Sequence, residues 1–392
     1  MSMSPTLATL PDELHLEIMV RLPALPQALA RASCVCPEWR RVVRDPGFLR
    51  RHREVHGGVP LTAGFFHNAV RLTPPGRFLR AGDDPLALSF PPSMSQEEGA
   101  ACFHLNPGEP WTVLDCRGGR VLLGCCRFSC FFLVWNPISR KRRLIKAGLL
   151  QGLHFYHAVR CNVTLMISGP GAVADVADAD SPFHVAVVYS TVFHADRLFG
   201  AVFSSRTGRW STTEVFVDLP LRTDLRGEPS AVVGNTVYNS MYNYLVVAFD
   251  TEHWTMATFE RPRSGNGRLM KTRDGVLGLV GALEFTVRLW ARESGDWVLR
   301  STVVLADMAL LRDLPSAPLP SSNPRFPLLP PVKIIGVAEE GDAVFLWTML
   351  GIFKFCPGSM ELKKIGEASQ DMEIVHPYAS FYVPTPHSNA VN

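Results

Sequence analysis

Apolar positions in the first 55 residues recur with the spacing of short helices. Leu14, Ile18 and Leu22 lie four residues apart, about one helical turn, and would share one face of a helix. Pro11 suits the first turn of that helix, the acidic residues that follow it suit the helix dipole, and Pro23 ends the pattern. The sequence therefore predicts an amphipathic helix between the two prolines.

Two or three more short helices are predicted before residue 57. A second apolar stripe runs through Leu29, Ala32, Val35 and Cys36. Pro37 would interrupt that helix but is well placed as the first residue of a third, whose apolar face holds Trp39, Val42 and Val43. The sequence Asp45-Pro46-Gly47 ends this helix, and one more short helix follows from Phe48. So small a helical core would gain stability from a partner.

After residue 60 the pattern changes to short apolar runs separated by turn signals. Five segments share the order of an apolar run, a polar turn and a second run: FFLVWNPISRKRRLI, FGAVFSSRTGRWSTTEV, LVVAFDTEHWTMATF, VRLWARESGDWVLRSTVV and GIFKFCPGSMELKKIG. Shorter segments that precede them also repeat, as in RGGRVLLG and VVGNTVYNS. Two of the intervals between the five turns match the roughly 40–45 residues of a four-stranded propeller blade. The two longer intervals hold either insertions or further blades.

These patterns predict an α+β multidomain chain. A small helical domain would occupy residues 1–57, and a mainly β, propeller-like domain residues 58–392. Two surface loops are expected within the second domain, the Ala/Asp-rich residues 169–182 and the proline-rich residues 315–331. The irregular spacing leaves the number of blades open.

Composition narrows the possible partners and surroundings. The chain has 392 residues, with 39 Lys and Arg against 36 Asp and Glu, a net charge of +3. That balance argues against nucleic acid as the main partner. The N-terminal residues have neither a basic start nor an apolar segment of the signal-peptide kind, and the most apolar run, VLLGCCRFSCFFLVW, is too short to span a bilayer. With nine scattered cysteines, we expect a soluble protein of a reducing compartment, cytoplasmic or nuclear, without membrane contact.

Several short motifs suggest metal or cofactor chemistry, but a structural role is the better interpretation of each. Cys34-x-Cys36 is too closely spaced for the usual zinc pair, and Cys125, Cys126 and Cys130 lie in a strand-like run. His154-x-x-His157 could be half of a metal site, yet no partner motif follows it. GPGAVA, residues 169–174, lacks the strand and helix that flank a dinucleotide loop. We expect no metal and no cofactor.

Catalytic and polyanion-binding motifs are equally weak. The sequence contains no Gly-x-Ser-x-Gly, Walker A or His-Glu-x-x-His motif. The arginines between residues 40 and 53 alternate with apolar residues at helical spacing, which is typical of the solvated or partner-facing side of short helices.

The N-terminal stretch LPDELHLEIMVRLPALPQALARASCVCPEWRRVVRDPGFLRRHREVH resembles an F-box closely. The resemblance rests on the first Leu-Pro with its following acids, the second Leu-Pro, the RAS-x-V-C-x-x-W-R stretch and the DP-x-F-LRR ending. The region after it resembles the β-repeat domains attached to F-boxes in large plant families, although only Gly118-Gly119 is similar to a kelch-type double glycine.

The resemblance implies a non-catalytic substrate-recognition adaptor of a Skp1–cullin–F-box ubiquitin ligase. The F-box would bind a Skp1-like adaptor, and cullin through it, while the β domain would bind an unidentified protein substrate. The residues expected to bind Skp1 or to pack the module are Leu10, Pro11, Leu14, Ile18, Leu22, Pro23, Leu29, Val35, Cys36, Trp39 and Val42. Which of them face the adaptor is open at this point. The alternatives are a Skp1-binding scaffold, or a ligand-binding propeller protein, acting outside a ubiquitin ligase; an enzyme is the third class.

Overall fold

The computed structural model describes a small group of helices followed by a ring of β-sheets. The described residues are 12–22, 29, 32, 35–55, 62–67, 77–80, 111–125, 131–136, 141–146, 161–167, 181–191, 194–211, 213–220, 223–312, 319–320, 328–367 and 373–379. Three helices have described bounds: α1 (Asp12–Val20), α2 (Pro37–Arg44) and α3 (Pro46–Val55). Leu29, Ala32 and Val35 are helical as well. The last helix begins at Pro46, two residues earlier than its apolar pattern indicates.

Five antiparallel sheets, here called blades, make up most of the β region. Blade 1 contains β3 (Trp111–Arg117), β4 (Arg120–Cys125), β5 (Phe131–Trp135) and β6 (Arg142–Lys146). Blade 2 contains β7 (Cys161–Ile167), β8 (Phe183–Thr191), β9 (His194–Ser204), β10 (Arg209–Trp210) and β11 (Val215–Asp218). Blade 3 contains β12 (Ala231–Val233), β13 (Thr236–Ser240), β14 (Leu245–Asp250) and β15 (Thr255–Glu260).

The remaining strands complete the ring. Blade 4 contains β16 (Asn266–Lys271), β17 (Leu277–Leu283), β18 (Thr286–Glu293) and β19 (Asp296–Val304), and blade 5 contains β22 (Val332–Val337), β23 (Val344–Thr348), β24 (Gly351–Cys356) and β25 (Glu361–Gly366). A closing sheet joins β1 (Thr62–His67) to β2 (Arg77–Arg80) on one side and to β26 (Val375–Ala379) on the other. The first and last described strands thus pair in one sheet.

The five predicted hairpins are all present, and each is the outer hairpin of one blade. Their turns lie between β5 and β6, β9 and β10, β14 and β15, β18 and β19, and β24 and β25. The preceding repeats form inner hairpins, such as β12 with β13, which pairs Val232 with Val237. Both long intervals contain insertions and no further described blade.

Six apolar cores fill the spaces between neighbouring sheets. Each sheet therefore packs against two neighbours, and the ring is closed. Phe132 of blade 1 and Phe203 of blade 2 share one core, and the blade 2–3, 3–4 and 4–5 interfaces have their own. Phe65 of the closing sheet packs against blade 5, whereas its neighbour Phe66 packs against blade 1. Because successive strand residues face opposite sides, β1 supplies both cores from adjacent positions. The domain is therefore a β-propeller-like ring.

Two predicted loops are partly within the described residues. Most of residues 169–182 lie outside them, although Ser181 and Pro182 lead directly into β8. In the proline-rich segment, β20 (Leu319–Pro320) pairs with β21 (Leu328–Leu329), and two short 3₁₀ helices, Leu305–Asp307 and Ala309–Leu311, precede it. The proline-rich insertion thus carries a small hairpin of its own.

Candidate functional site

The first helix presents apolar side chains to solvent. Leu14 is 48% exposed and Ile18 39% exposed, one turn apart on α1. Glu17, the residue before Ile18, forms ion pairs with Arg21 (Nη2–Oε2, 3.5 Å) and with Arg51 of α3. This exposed apolar pair, Leu14 and Ile18, is called the α1 pair below.

The helical module fills its core with other side chains. Met19 and Val43 are fully buried, and they share one cluster with Val20, Leu29, Ala32 and Phe48. His52 of α3 lies 5.9 Å from the Phe48 ring, and its Nε2 is 3.2 Å from the carbonyl oxygen of Leu22. Because this core is complete without the α1 pair, Leu14 and Ile18 are available for contact outside the module.

The junctions between helices are capped by side chains. Cys36 is the N-cap of α2, and its Sγ accepts a hydrogen bond from the backbone N–H of Trp39 at 3.5 Å. Pro37 occupies the first helical turn, where its missing N–H costs nothing. Asp45 ends α2 and starts α3, since its Oδ2 accepts from the backbone N–H of Phe48 at 2.7 Å. Cys36 therefore has a capping role.

The residues predicted for Skp1 binding fall into four groups. Leu14, Ile18 and Val35 are exposed, the last to 62%. Leu29 is buried in the module's core, and Leu22, Trp39 and Val42 pack partly buried against it. Cys36 is the half-buried cap. Leu10, Pro11 and Pro23 lie outside the described residues.

Sequence reasoning missed the deepest part of this core. Met19 and Phe48 are among its most buried members, and neither was among the predicted site residues. Met19 lies one turn after His15, itself buried with its ring 6.1 Å from that of Trp39. Two pairs of residues on α1 thus have the same spacing of four: His15 and Met19 are buried, and Leu14 and Ile18 are exposed. The spacing alone does not distinguish the buried pair from the exposed one.

A polar cluster lies in the ring, where the inner strands of neighbouring blades meet. Asp115 of β3 accepts hydrogen bonds from Arg117 Nε at 2.9 Å and from the backbone N–H of Leu165 at 3.0 Å. The backbone N–H of Gly118 donates to Glu339 Oε2 at 2.9 Å. Burial raises the pKa of Glu339 and lowers that of the nearby His376 to about 4. The adjoining cavity is small, about 40 Å³, and the hydrogen bonds indicate a role in joining the blades.

Two further groups in this region join blades 2, 3 and 4. Asn162 Nδ2 donates to the Glu228 carbonyl and to Asn239 Oδ1, both at 3.1 Å. The Glu228 carboxylate pairs with Arg226 at 3.0 Å and with the buried Arg268 of β16. These contacts are side-chain links between sheets and bring no nucleophile next to a base.

Within the described ranges, no set of three or more His, Cys, Asp and Glu side chains is arranged to hold a metal ion. The described part of the chain also contains no helix with the length and apolarity needed to cross a membrane. Cys34, Cys126, Cys130 and the His154-x-x-His157 motif lie outside the described residues.

Comparison with known proteins identifies the helical module. Residues 7–55 match the F-box-like family model. A putative F-box protein of Arabidopsis thaliana is 29% identical over 136 residues, 35% of this chain and 32% of the relative. An F-box/kelch-repeat protein of the same plant is 28% identical over 163 residues, 40% of this chain and 36% of the relative. The matched part is thus about a third of each relative's length.

Among solved structures, the propeller of Dos1 aligns with 67% of this chain and 59% of its own, with a TM-score of 0.34 and 9% identity. At this level the likeness is weak, and the ring is defined by its own strand pairing and inter-sheet cores. The chain carries an F-box-like domain at its N-terminal end, followed by a β-propeller-like domain.

Proposed function

We propose that this protein is the substrate-recognition subunit of a Skp1–cullin–F-box ubiquitin ligase. Residues 1–57 would bind a Skp1-like adaptor, and cullin through it, while residues 58–392 would hold a protein substrate. The complex would act in the cytoplasm or the nucleus.

The observation that carries this proposal is the α1 pair. Leu14 and Ile18 lie inside the F-box-like match, and they are exposed although the module's own core is filled by Met19, Val43 and Phe48. Both side chains are already about half covered, so burying the rest of each against a partner would contribute about half of the roughly 1.5–3 kcal/mol of a fully exposed side chain, before the cost of association. Two such side chains on one helical turn therefore fit an apolar partner surface.

The mechanism requires no chemistry from this chain. Its role would be to hold a substrate close to a ubiquitin-loaded enzyme elsewhere in the complex, which raises the effective concentration of the reacting groups. The six inter-sheet cores give the ring its own source of stability, so it can present a substrate surface while the F-box engages the adaptor. No cofactor is needed for this role.

The test is co-purification of epitope-tagged full chain from cells with the proteasome inhibited. We expect Skp1 and cullin to co-purify with the native chain, and both to be lost with Leu14→Asp. Residues 58–392 alone should retain neither. Recovery of Skp1 without cullin would favour the scaffold alternative, and Skp1 bound to residues 58–392 would contradict the assignment of binding to the F-box.

A further inference from the structure

An exposed aromatic and basic surface lies on blade 3, where the β13–β14 turn meets the segment before β12 and the loop after β15. Tyr242 and Tyr244 of this turn are 51% and 39% exposed. Arg226 lies over the Tyr242 ring, 5.9 Å from its centre, and Arg263 lies over the Tyr244 ring at 5.3 Å. These four side chains are called the Tyr–Arg platform below. The platform lies within residues 223–312, which the structure describes without a gap.

Backbone hydrogen bonds hold the three segments of the platform together. The N–H of Tyr242 donates to the carbonyl oxygen of Asp224 at 2.9 Å, and the N–H of Arg261 donates to that of Tyr244 at 2.7 Å. Asn243 and Tyr244 both have a φ of 60°, a conformation that few residues other than glycine adopt and that is found preferentially at binding sites. The turn is therefore preorganised, which lowers the entropic cost of binding a partner.

A buried cation lies beside the platform. Arg261 is only 3% exposed, and its guanidinium lies 5.6 Å from the centre of the Tyr244 ring. Its Nη1 donates to Ser264 Oγ at 3.3 Å, whereas its Nε and Nη2 have no hydrogen-bond partner among the described residues. Buried donors without acceptors cost free energy unless another molecule supplies the acceptors.

The charges around this cation are unbalanced. Burial lowers the pKa of Arg261, and so do the charges of Arg226 and Arg268. Glu228 is the acid that opposes them, and its carboxylate already pairs with Arg226 at 3.0 Å and with Arg268. Asp224, the other acid of this segment, accepts from the next backbone N–H at 2.8 Å. Three arginines and two acids give this part of the surface a positive charge, to which the platform's exposed arginine adds.

A comparable stack on blade 2 is neutral. Arg197 lies over the exposed ring of Phe216, 4.1 Å from its centre, and pairs with Asp218 at 2.7 Å. Arg263 of the platform, by contrast, forms no salt bridge with a described residue. The stack on blade 2 thus supplies its own counter-charge, whereas the platform leaves one to a partner.

An apolar side chain extends the surface on the blade 4 side. Leu283 is 55% exposed, and a Cβ atom at Gly265 would lie 3.5 Å from its Cδ1. Gly265 follows the platform's exposed arginine by two residues, so this leucine borders the platform. Tyrosine and arginine are the residue types that dominate interface hot spots, and exposed apolar neighbours exclude water around them. The composition therefore fits a protein partner.

We infer that the Tyr–Arg platform is a docking surface for a protein segment that carries acidic side chains next to an apolar or aromatic one. The carboxylates would pair with Arg263 and balance the positive charge, while the apolar side chain would pack on the tyrosine rings. A polynucleotide would need an extended basic track, whereas Arg226 is half-buried and the chain has a net charge of only +3.

This inference deepens the proposed function, because it names acidic segments as the class of substrate, and in that respect it rests on the proposed function. The two can fail separately. Leu14→Asp should abolish Skp1 binding and leave the binding of an acidic peptide unchanged, whereas variants of the platform should bind Skp1 with native affinity.

The experiment measures fluorescence anisotropy with the full chain and a labelled peptide in which Asp-Glu-Phe-Asp-Glu is flanked by Gly and Ser. The platform variants are Tyr242→Ala and Arg263→Ala. The matched controls are Phe216→Ala and Arg197→Ala, which remove the comparable stack on blade 2. We expect the native chain to bind the peptide, and the affinity to fall at least about tenfold in each platform variant but less than about twofold in each control.

A second peptide, with Asn and Gln in place of the acids, should bind at least about tenfold more weakly than the acidic one. Three results would overturn the inference: no binding of the acidic peptide, equal losses in the platform and control variants, or equal binding of the neutral peptide. Oligo-thymidylate that displaces the label at a lower concentration than unlabelled acidic peptide would also overturn it, in favour of nucleic acid. Unchanged melting temperatures establish that all four variants are folded.

Discussion

Asp115 and Arg117, two residues apart on β3, form a largely buried salt bridge with an Nε–Oδ2 distance of 2.9 Å. The same pair reaches two other sheets, since Asp115 accepts from the backbone N–H of Leu165 and Arg117 donates to the carbonyl oxygen of Ser230. One ion pair thus connects blade 1 to blade 2 and to the start of blade 3.

Removing the negative charge of this pair should destabilise the ring strongly. Asp115→Asn would leave the buried Arg117 guanidinium with only the Glu339 carboxylate as an opposing charge, and breaking a buried pair costs about 3–5 kcal/mol in comparable sites. Urea denaturation of the native and variant chains measures the difference. The matched control is Asp218→Asn, which breaks an exposed pair with Arg197 and should cost less than about 1 kcal/mol. Equal losses of unfolding free energy in the two variants would show that the buried Asp115 pair contributes no more than an exposed one.

His376 should make the stability of the ring depend on pH. Burial lowers its pKa from 6.5 to about 4 in the folded chain, so between these values the unfolded chain binds more protons than the folded one. Stability should therefore fall as the pH falls from 6.5 towards 4, by up to about 3 kcal/mol. Below pH 4 this contribution should change no further.

The measurement is the free energy of unfolding at a series of pH values for the native chain and for His376→Gln. Subtracting the two curves removes the contributions of other titrating groups, such as Glu339, whose pKa burial raises. The difference should have its slope between pH 4 and 6.5. A flat difference would mean that His376 titrates alike in the folded and unfolded chains.

The Asp45 cap should stabilise the last helix of the F-box-like domain. Asp45→Ala removes the acceptor for the Phe48 N–H and should cost about 0.5–2 kcal/mol, whereas Asp45→Asn keeps a side-chain oxygen and should cost less. Hydrogen–deuterium exchange over residues 46–55 in the full chain reports this locally. Faster exchange in Asp45→Asn than in Asp45→Ala would contradict the capping role.

Much of the ring is predictable from the sequence because the pattern that specifies each hairpin lies within a short stretch of chain. A hairpin such as β14–β15 consists of two apolar runs around a polar turn at Asp250, and all the required residues are close in sequence. The Gly118-Gly119 turn can also be predicted, because glycine favours tight turns. Both glycines have positive φ in the structure. The order and closure of the blades are not readable, because β1 and β26 pair across more than 300 residues.

The polar cluster around Asp115 was missed for the same reason. Asp115 is one acid in an apolar strand, and its partner Leu165 is 50 residues away, while the Glu339 that binds Gly118 is 221 residues away. In the F-box, the α1 pair is visible as a stripe, but its exposure depends on how α2 and α3 cover the opposite side of α1.

Trp39 should affect folding as well as partner binding. It is partly buried against the module's core and contacts the His15 ring, so Trp39→Ala should loosen residues 37–55 in addition to weakening Skp1 binding by more than about 2 kcal/mol. Hydrogen–deuterium exchange and binding, measured on the same sample, separate the two effects. Lost binding with unchanged exchange would show that Trp39 acts purely at the interface.

The most direct test of the adaptor role is the affinity of purified Skp1 for the full chain, measured by isothermal titration calorimetry. Leu14→Asp places an acid near the start of α1, and Ile18→Lys places a cation near its end, so both charges suit the helix dipole and spare the fold. Val55→Lys, at an equally exposed apolar position at the end of α3 where a cation suits the dipole, is the control. We predict tight binding by the native chain and by Val55→Lys, and at least thirtyfold weaker binding by each α1 variant. Native-like binding by both α1 variants, or no binding by the native chain, would contradict the proposed function.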